Sequence, residues 1–289
     1  MPDWSLITQQ LRQAGISSSE SQSPRPVSGG DISAAWRLET DHGAVFLKTG
    51  PSESCDMFAA EAEGLTELAG ANAVRVPAVL ATGQQAGTAF IATEWLEFER
   101  ANRDMERMLG EQLAEMHRTV KDRFGWHRDN TIGLTPQPNP WMSDWVEFYR
   151  EQRLQFQLEL AARNGFRGEL QEQGERLVKR LPIFFENYEP AASLLHGDLW
   201  GGNWSCCDGV PVIFDPAVYY GDREADLAMT RVFGGFGRAF YEAYEANWPL
   251  QAGHRERDAL YQLYHILNHL NLFGSGYLGR ALGLMRDLL

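Results

Sequence analysis

The sequence Leu-Leu-His-Gly-Asp-Leu-Trp-Gly-Gly-Asn at positions 194–203, followed by Val-Ile-Phe-Asp-Pro-Ala-Val-Tyr-Tyr-Gly-Asp-Arg-Glu-Ala-Asp at positions 212–226, is the most informative part of this chain. It places Asn203 five residues after Asp198, and Asp215 a further twelve residues along. Phosphoryl transfer needs a carboxylate that accepts the proton of the acceptor hydroxyl, and oxygen ligands for the magnesium ion that bridges the nucleotide phosphates. The pattern therefore predicts a kinase site, with Asp198 as proton acceptor and Asn203 and Asp215 as magnesium ligands.

Two neighbouring residues could be given other roles. His196 could be taken for a general base, but we predict that it braces the loop, because the carboxylate beside it has the metal partners at the correct spacing. Asp226 is predicted to start a helix or anchor a loop and not to bind metal. Oxygen ligands alone suit magnesium better than zinc.

Composition limits the class of protein. With 289 residues, 44% of them hydrophobic, the chain can form one large domain or two lobes. Its apolar runs are far shorter than the roughly 20 residues of a membrane helix, and no export signal is visible. Three cysteines, two of them adjacent, indicate neither a metal site nor a disulfide framework and favour a reducing cytoplasm. A formal charge of −13 argues against nucleic-acid binding.

In the first third of the chain, apolar residues recur with the period of two that is typical of β-strands. From Ile32 to Leu38 apolar residues alternate with mostly polar ones, positions 41–43 supply a turn, and positions 44–47 are apolar. This pattern predicts a β-hairpin that leads to Lys48. The other predictions for this part are a helix at 3–16, a polar linker at 17–26, a helix at 53–69, strands at 79–82 and 90–96, and a turn at 83–87.

After residue 96 helical periods dominate. The predicted elements are a helix through Leu109, Leu113, Met116 and Val120, a second from Trp145 toward Leu158, a third over 168–187, a hairpin with its tip at Asp208-Gly209, and a last strong helix through Leu260, Leu263, Leu267 and Leu270. We therefore expect a bilobal α+β fold of the protein-kinase-like type. Residues 1–96 would form a small antiparallel β lobe with one helix, which binds nucleotide. Residues 97–289 would form a larger, mainly helical lobe with the catalytic loop, the metal site and the substrate pocket.

The small lobe offers candidate nucleotide contacts. Lys48 ends an apolar strand, where a kinase-like lobe holds the lysine that pairs with the α- and β-phosphates, and Glu61 on the next helix is its predicted partner. Either residue alone would be typical of a solvent-exposed position, and only the pair indicates a nucleotide site. Gly29 and Gly30 could cover the phosphates through their N–H groups, although a plain turn explains them equally well. We predict that the backbone of Glu94, Trp95 and Leu96 hydrogen-bonds the edge of the adenine base, because the chain passes from the small lobe to the helical lobe at this segment.

These residues carry a resemblance to a known family. Its most specific stretches here are 124–130 with Gly133, 135–141, 144–145, 153–154, 196–203, 215–226, 233–236, 261–263 and 267–269. The chain resembles the fructosamine kinase (ketosamine 3-kinase) family, within the group that shares a fold with aminoglycoside and choline kinases. The resemblance implies ATP-dependent phosphorylation of the sugar 3-hydroxyl of a ketosamine, after which the adduct breaks down and frees the amine. It also implies that Trp200 is the aromatic residue against which the sugar lies.

The resemblance leaves several questions open. Many relatives have a cysteine where this chain has Asp31, so redox behaviour tied to that thiol is not expected here. The substrate could be a small-molecule ketosamine or a glycated lysine of a protein, and the sequence does not predict the oligomeric state. Alternatives are a kinase for another hydroxyl, such as that of an aminoglycoside or an amino alcohol, and a catalytically silent nucleotide-binding protein.

Overall fold

The computed structural model describes residues 4–16, 24–27, 33–41 and 43–289, together with Pro2. The small lobe is built on a five-stranded antiparallel sheet with the strand order β1-β2-β3-β5-β4. Its elements, in chain order, are α1 (Trp4–Gln13), β1 (Arg25–Val27), β2 (Ala34–Thr40), β3 (Gly43–Pro51), α2 (Cys55–Gly70), β4 (Val79–Gln85) and β5 (Thr88–Glu94).

The two faces of this sheet have different roles. On the face that carries Leu47 and Phe90, the sheet packs with Ile7 and Leu11 of α1. Lys48 is paired with Ile91 in the register of β3 and β5, so these two residues share the opposite face. Helix α2 packs against that opposite face. The pleat thus directs Lys48 toward the helix that carries Glu61.

Both helices predicted within residues 1–96 are present, as α1, which covers the outer face of the sheet, and α2, so the description of a lobe with one helix was incomplete. Two other predictions for the small lobe were wrong in detail. Arg25 and Pro26 belong to an edge strand and not to a linker; an edge strand tolerates proline because one side of it makes no ladder bonds. The turn is confined to Ala86 and Gly87, because β4 continues through Gly83, whose missing side chain leaves room for the Phe90 ring.

The large lobe is mainly helical with short sheets at the inter-lobe face. Its elements are α3 (Arg103–Met116), β6 (Val120–Lys121), β7 (Asn130–Ile132), β8 (Thr135–Gln137), α4 (Trp145–Tyr149), α5 (Phe156–Arg163), α6 (Glu169–Arg180), β9 (Ala192–Leu195), β10 (Trp204–Cys207), β11 (Val210–Ile213), β12 (Tyr219–Gly221), α7 (Glu224–Val232), α8 (Arg238–Asn247), α9 (His254–Phe273) and α10 (Leu278–Leu288). A π-helical stretch, Arg150–Gln155, joins α4 to α5.

The predicted helix from Trp145 and the helix of the late leucines are confirmed, as is the hairpin tip at Asp208-Gly209, where both residues have positive φ. Val120 was wrongly placed in a helix: α3 ends at Met116, and Val120 lies in the exposed strand β6. The third helix is shorter than predicted, because Pro182 converts its end into a 3-10 turn, Leu181–Phe185. Among the described helices, none has the length and apolar character needed to cross a bilayer.

Candidate active site

The loop between β9 and β10 carries Asp198 and is anchored by a buried carboxylate. Asp226, in the first turn of α7, accepts hydrogen bonds from the N–H groups of His196 (2.7 Å) and Gly197 (2.8 Å). Its Oδ2 also lies 3.1 Å from Nε2 of His117. Burial acts to raise the pKa of Asp226, but these partners outweigh it and lower the pKa. Asp226 is therefore the loop anchor that the sequence predicted.

His196 is fully buried and uses both ring nitrogens on the backbone. Its Nε2 donates to the Phe214 carbonyl (3.0 Å), and its Nδ1 faces the N–H of Asp198 (3.3 Å). Burial lowers the pKa of this imidazole. The predicted bracing role is confirmed, because neither nitrogen is free to take a proton from a substrate.

The Asp198 carboxylate is half-buried at the floor of the site. Among the described residues, no group donates a hydrogen bond to its carboxylate oxygens, although its carbonyl accepts one from Asn203. Burial raises the pKa of Asp198 to about 7, with smaller contributions from the charges of Asp215 and Asp226. A carboxylate in this state can accept a proton near neutral pH, as a general base requires.

Asn203 and Asp215 offer oxygen atoms to the same region. The Asn203 amide nitrogen donates to the carbonyls of Asp198 (2.9 Å) and Asp215 (3.4 Å), and no described residue donates a hydrogen bond to its side-chain oxygen. Asp215 follows β11 with a φ of 57°, a left-handed conformation that turns the chain sharply. Magnesium is bound by one or two such oxygen ligands together with substrate phosphates. The donor set fits that ion, and no cluster of three or more His, Cys, Asp or Glu suitable for another metal occurs among the residues that the structure describes.

Lys48 reaches this loop from the small lobe. Its Nζ lies 2.8 Å from Oε1 of Glu61 and 2.6 Å from Oδ1 of Asp215. Burial acts to lower the pKa of Lys48, but the two carboxylates raise it overall, so the ammonium is charged. The structure thus links Lys48, Glu61, Asp198, Asn203 and Asp215 through direct contacts where the two lobes meet.

The segment that connects the lobes has few free backbone donors. The N–H of Glu94 donates to the Ala78 carbonyl (2.9 Å), and the N–H of Trp95 donates to the Ala44 carbonyl (3.3 Å). Among the described residues, the N–H of Leu96 donates to no protein acceptor. Leu96 packs with Cys207 and Val212 of the large lobe. Within this predicted segment, Leu96 is therefore the residue whose N–H could meet a nucleotide base. Gly29 and Gly30 lie outside the described residues.

Trp200 lies on the same loop, two residues after Asp198. Its side chain is 37% exposed, and its ring lies over Gly202, where a Cβ would approach the ring within 2.4 Å. The next loop packs closely here, since a Cβ on Gly235 would lie 2.6 Å from the Gly201 Cα. This backbone contact places Phe233 beside Trp200, with ring centroids 6.2 Å apart. The sequence predicted no contact between the Phe-Gly-Gly-Phe segment, residues 233–236, and the loop that carries Asp198.

A buried polar network supports the segment after Asp215. Gln137 donates to the Ala217 carbonyl (3.1 Å), and Asn130 donates to the Val218 carbonyl (2.8 Å). Asn139 joins this network through Asn130 and accepts from the fully buried Arg153 (2.6 Å). The polar residues of the 135–141 motif therefore hold the backbone that follows Asp215, and this structural role accounts for them.

A second set of contacts, missed from the sequence, fixes α2 to the large lobe. Arg128 forms ion pairs with Asp56 and Glu63, and His127 contacts Glu63 at 2.6 Å. Glu67, one turn further along α2, accepts from Tyr220 (2.6 Å). Acidic residues at positions 56, 63 and 67 of one helix were the available signal, but their partners lie on distant segments. These contacts set the position of the helix that presents Glu61.

Comparisons with known proteins give one consistent result. The model of the fructosamine kinase family matches residues 3–289. A probable ketoamine kinase from Synechocystis is 42% identical over 99% of this chain and 97% of its own length. A chloroplastic protein-ribulosamine 3-kinase from Arabidopsis thaliana is 44% identical over 91% of this chain and 81% of its own length.

Solved structures give the same picture of the fold. The crystal structure of a candidate fructosamine-3-kinase from Haemophilus somnus superposes with a TM-score of 0.89, at 28% identity, over 99% of this chain and 97% of that one. An ADP-bound aminoglycoside phosphotransferase, 14% identical with a TM-score of 0.64 over 99% of this chain and 97% of its own, shares the fold alone. The predicted bilobal α+β fold is thus confirmed.

Proposed function

The chain belongs to the fructosamine kinase family, and from this premise we propose that it transfers the γ-phosphoryl group of ATP to the 3-hydroxyl of ketosamines. These are the adducts that form when a sugar reacts with an amine. The phosphorylated adduct then breaks down and frees the amine, so the activity is a repair of glycation. The ribulosamine and ketoamine kinases among the relatives support this substrate class.

One observation carries the assignment of the site. Lys48 of the small lobe contacts Asp215 of the large lobe, and Asn203 bonds to the backbone of both Asp198 and Asp215. A phosphoryl-transfer site needs a cation, oxygen ligands for a metal and a proton acceptor within one cleft. Surface residues with unrelated roles would not converge in this way.

In the proposed mechanism, Asp198 orients the sugar hydroxyl and accepts its proton as the phosphoryl group is transferred. Lys48, held by Glu61, interacts with the phosphates and stabilises negative charge that develops on them. Asp226 and His196 keep the Asp198 loop in place. Trp200, two residues after Asp198 in the chain, provides an aromatic face against which the sugar can lie.

Magnesium and the adenine base complete the proposal. Asn203 and Asp215 would hold magnesium, which would neutralise charge on the nucleotide phosphates. The Leu96 N–H and the carbonyls of the connecting segment would meet the adenine edge. We place the boundary between the two lobes at residues 96 and 97, within this segment.

The experiment is a phosphorylation screen. The protein is incubated with ATP and magnesium and with fructosamines, ribulosamines, aminoglycosides and amino alcohols, and each acceptor is examined for the mass of an added phosphate. We expect phosphate on the ketosamines and none on the aminoglycosides. Phosphate on aminoglycosides alone would support the rival kinase. Tight binding of ATP without ADP formation on any acceptor would support a silent nucleotide-binding protein.

The cellular setting is proposed on chemical grounds. Cys55, Cys206 and Cys207 are free thiols, which suits a reducing cytoplasm. The charge of −13 disfavours nucleic acid as a partner. A small ketosamine and a glycated lysine of a protein are both compatible with the carboxylate at the site.

A further inference from the structure

An aromatic strip extends from Trp200 across the surface of the large lobe. We define it as Trp200, Phe233, His269, Phe273 and Tyr277. The ring centroids of Phe233 and His269 lie 4.5 Å apart. The His269 centroid lies 5.4 Å from that of Phe273 and 5.3 Å from that of Tyr277. Each ring thus touches the next, in an unbroken path that begins two residues after Asp198.

Three of the five rings are exposed to solvent, and His269 and Tyr277 are half-buried. Trp200 is 37% exposed, Phe233 39% and Phe273 59%. These three are among the few large apolar side chains that the described part of the chain leaves exposed. Phe273 is the last residue of α9, so the outer end of the strip lies at a helix terminus and not inside an enclosed pocket. A ligand that lies on the strip can therefore continue into solvent.

His269 adds one polar atom of defined character. Its Nδ1 lies 2.8 Å from the His265 carbonyl, and a carbonyl only accepts, so Nδ1 carries the proton. Burial, together with the nearby Arg280, lowers the pKa of His269, which keeps the ring neutral. Its Nε2 is then a lone-pair acceptor, and no described residue donates to it. The strip thus combines aromatic faces with a single acceptor for an N–H group.

A ketosamine has matching chemistry in its amine half. Its secondary nitrogen is a protonated ammonium with N–H donors, and the carbon chain of the original amine is attached to it. Aromatic faces attract cations, Trp most strongly, and an alkyl stem packs well on apolar rings. Resting on the proposed function, we infer that the aromatic strip is the subsite for the amine half of the substrate. His269 Nε2 accepts the ammonium N–H, and Phe273 and Tyr277, which follow His269 in the strip, bind the carbon stem and select its length.

The test compares two ketosamines that share one sugar and differ only in the amine. One is the methylamine adduct, which has no stem, and the other is the side-chain adduct of a lysine blocked at its α-amino and carboxyl groups. For the unaltered protein we expect kcat/KM to be about tenfold higher with the lysine adduct. Phe273→Ala should lower kcat/KM about tenfold with the lysine adduct and by less than about twofold with the methylamine adduct.

His269 is tested separately, because both adducts carry the ammonium. His269→Ala should lower kcat/KM with both adducts to a similar extent, and His269→Gln, which restores an acceptor, should recover most of the loss. Ile183→Ala removes an apolar side chain of similar exposure outside the strip and should leave kcat/KM unchanged with both adducts. The KM for ATP should stay constant in all four variants, which also shows that they are folded.

Two results would overturn the inference while leaving the proposed function intact: equal turnover of both adducts by the unaltered protein, or an equal effect of Phe273→Ala on both. A failure of the proposed function looks different, because the unaltered protein would then phosphorylate neither adduct. That result would overturn the inference as well.

Discussion

The ammonium of Lys48 lies 2.6 Å from the carboxylate of Asp215, although the two residues are 167 positions apart in the chain. Lys48 belongs to β3 of the small lobe, and Asp215 follows β11 of the large lobe. The Lys48 side chain is mostly buried, with 15% of it exposed, and the Asp215 side chain is partly buried, with 43% exposed. The contact therefore joins the nucleotide half and the metal half of the proposed site directly.

Replacing Lys48 tests this relationship. Lys48→Met should lower kcat/KM for ATP by about 10² to 10³, because a fixed positive charge at the phosphates is lost and Glu61 is left buried without its partner. Lys121→Met is the matched control, since Lys121 also pairs with a carboxylate of α2, Glu67, at 3.2 Å but in a more exposed position. It should change kcat/KM by less than about twofold. Equal losses in the two variants would contradict the role of Lys48.

Asp198→Asn separates proton transfer from nucleotide binding. We expect kcat to fall by about 10² to 10⁴ while the affinity for ATP stays nearly constant, because the amide keeps the shape of the carboxylate but cannot accept the proton. Asp208→Asn, at the exposed tip of the β10–β11 hairpin, is the control and should turn over normally. Near-normal turnover of a ketosamine by Asp198→Asn would exclude Asp198 as the base.

The raised pKa of Asp198 predicts an acid limb in the pH–rate profile. With both substrates well below their KM values, the rate reports ionisation of the free enzyme. Asp198 acts in its deprotonated form, and burial raises its pKa to about 7, so the rate should rise with pH through about 7 and be lost at lower pH. The residual activity of Asp198→Asn should lack this limb. A limb near pH 4, typical of an exposed carboxylate, would contradict the buried environment of Asp198.

The site was predictable where its parts are close in sequence. Asp198, Asn203 and Asp215 lie on one loop and one hairpin, so their spacing alone brings them together, and Lys48 and Glu61 come from consecutive elements. The contact between Lys48 and Asp215, in contrast, depends on how the two lobes pack. No local pattern encodes that arrangement. The roles of Glu94 to Leu96 in base binding and of Trp200 in sugar binding stay predictions.

The errors in the fold have local physical causes. Val120 continues the apolar period of α3, but the helix has already ended at Met116 and the chain pairs with β9 instead. Gly83 looked like a turn residue, whereas it serves close packing in β4. The contacts of Arg128 with α2 join segments more than 60 residues apart, and charge patterns on one helix do not identify such partners.

Arg128 should influence the nucleotide site from a distance. Arg128→Ala removes the ion pairs with Asp56 and Glu63, loosens α2 and weakens the alignment of Glu61 with Lys48. Because these pairs are partly exposed, we expect a modest rise of about two- to fivefold in the KM for ATP. Arg107→Ala breaks an exposed pair within α3, with Glu111, and should leave the KM unchanged. An unchanged KM in Arg128→Ala would show that α2 is held sufficiently by its apolar packing.

Alanine substitutions at Gly197 and Gly87 separate the cost of close packing beneath the loop from the cost of backbone strain. Gly197 and Gly87 have the same positive φ of 82°, so an alanine at either position adopts an unfavourable backbone conformation that costs about 1 to 2 kcal/mol. They differ in space, since a Cβ at Gly197 would lie 2.0 Å from the Ala217 carbonyl oxygen, whereas none of the described atoms lies within 4 Å of a Cβ at Gly87. In urea unfolding, Gly87→Ala should lower the free energy of unfolding only by this conformational cost. Gly197→Ala should lower the free energy of unfolding by about 2 kcal/mol more, because the loop must move away from the segment after Asp215. This displacement should also lower kcat. Equal destabilisation of the two variants would mean that the loop can shift without cost, contrary to its anchoring by Asp226 and His196.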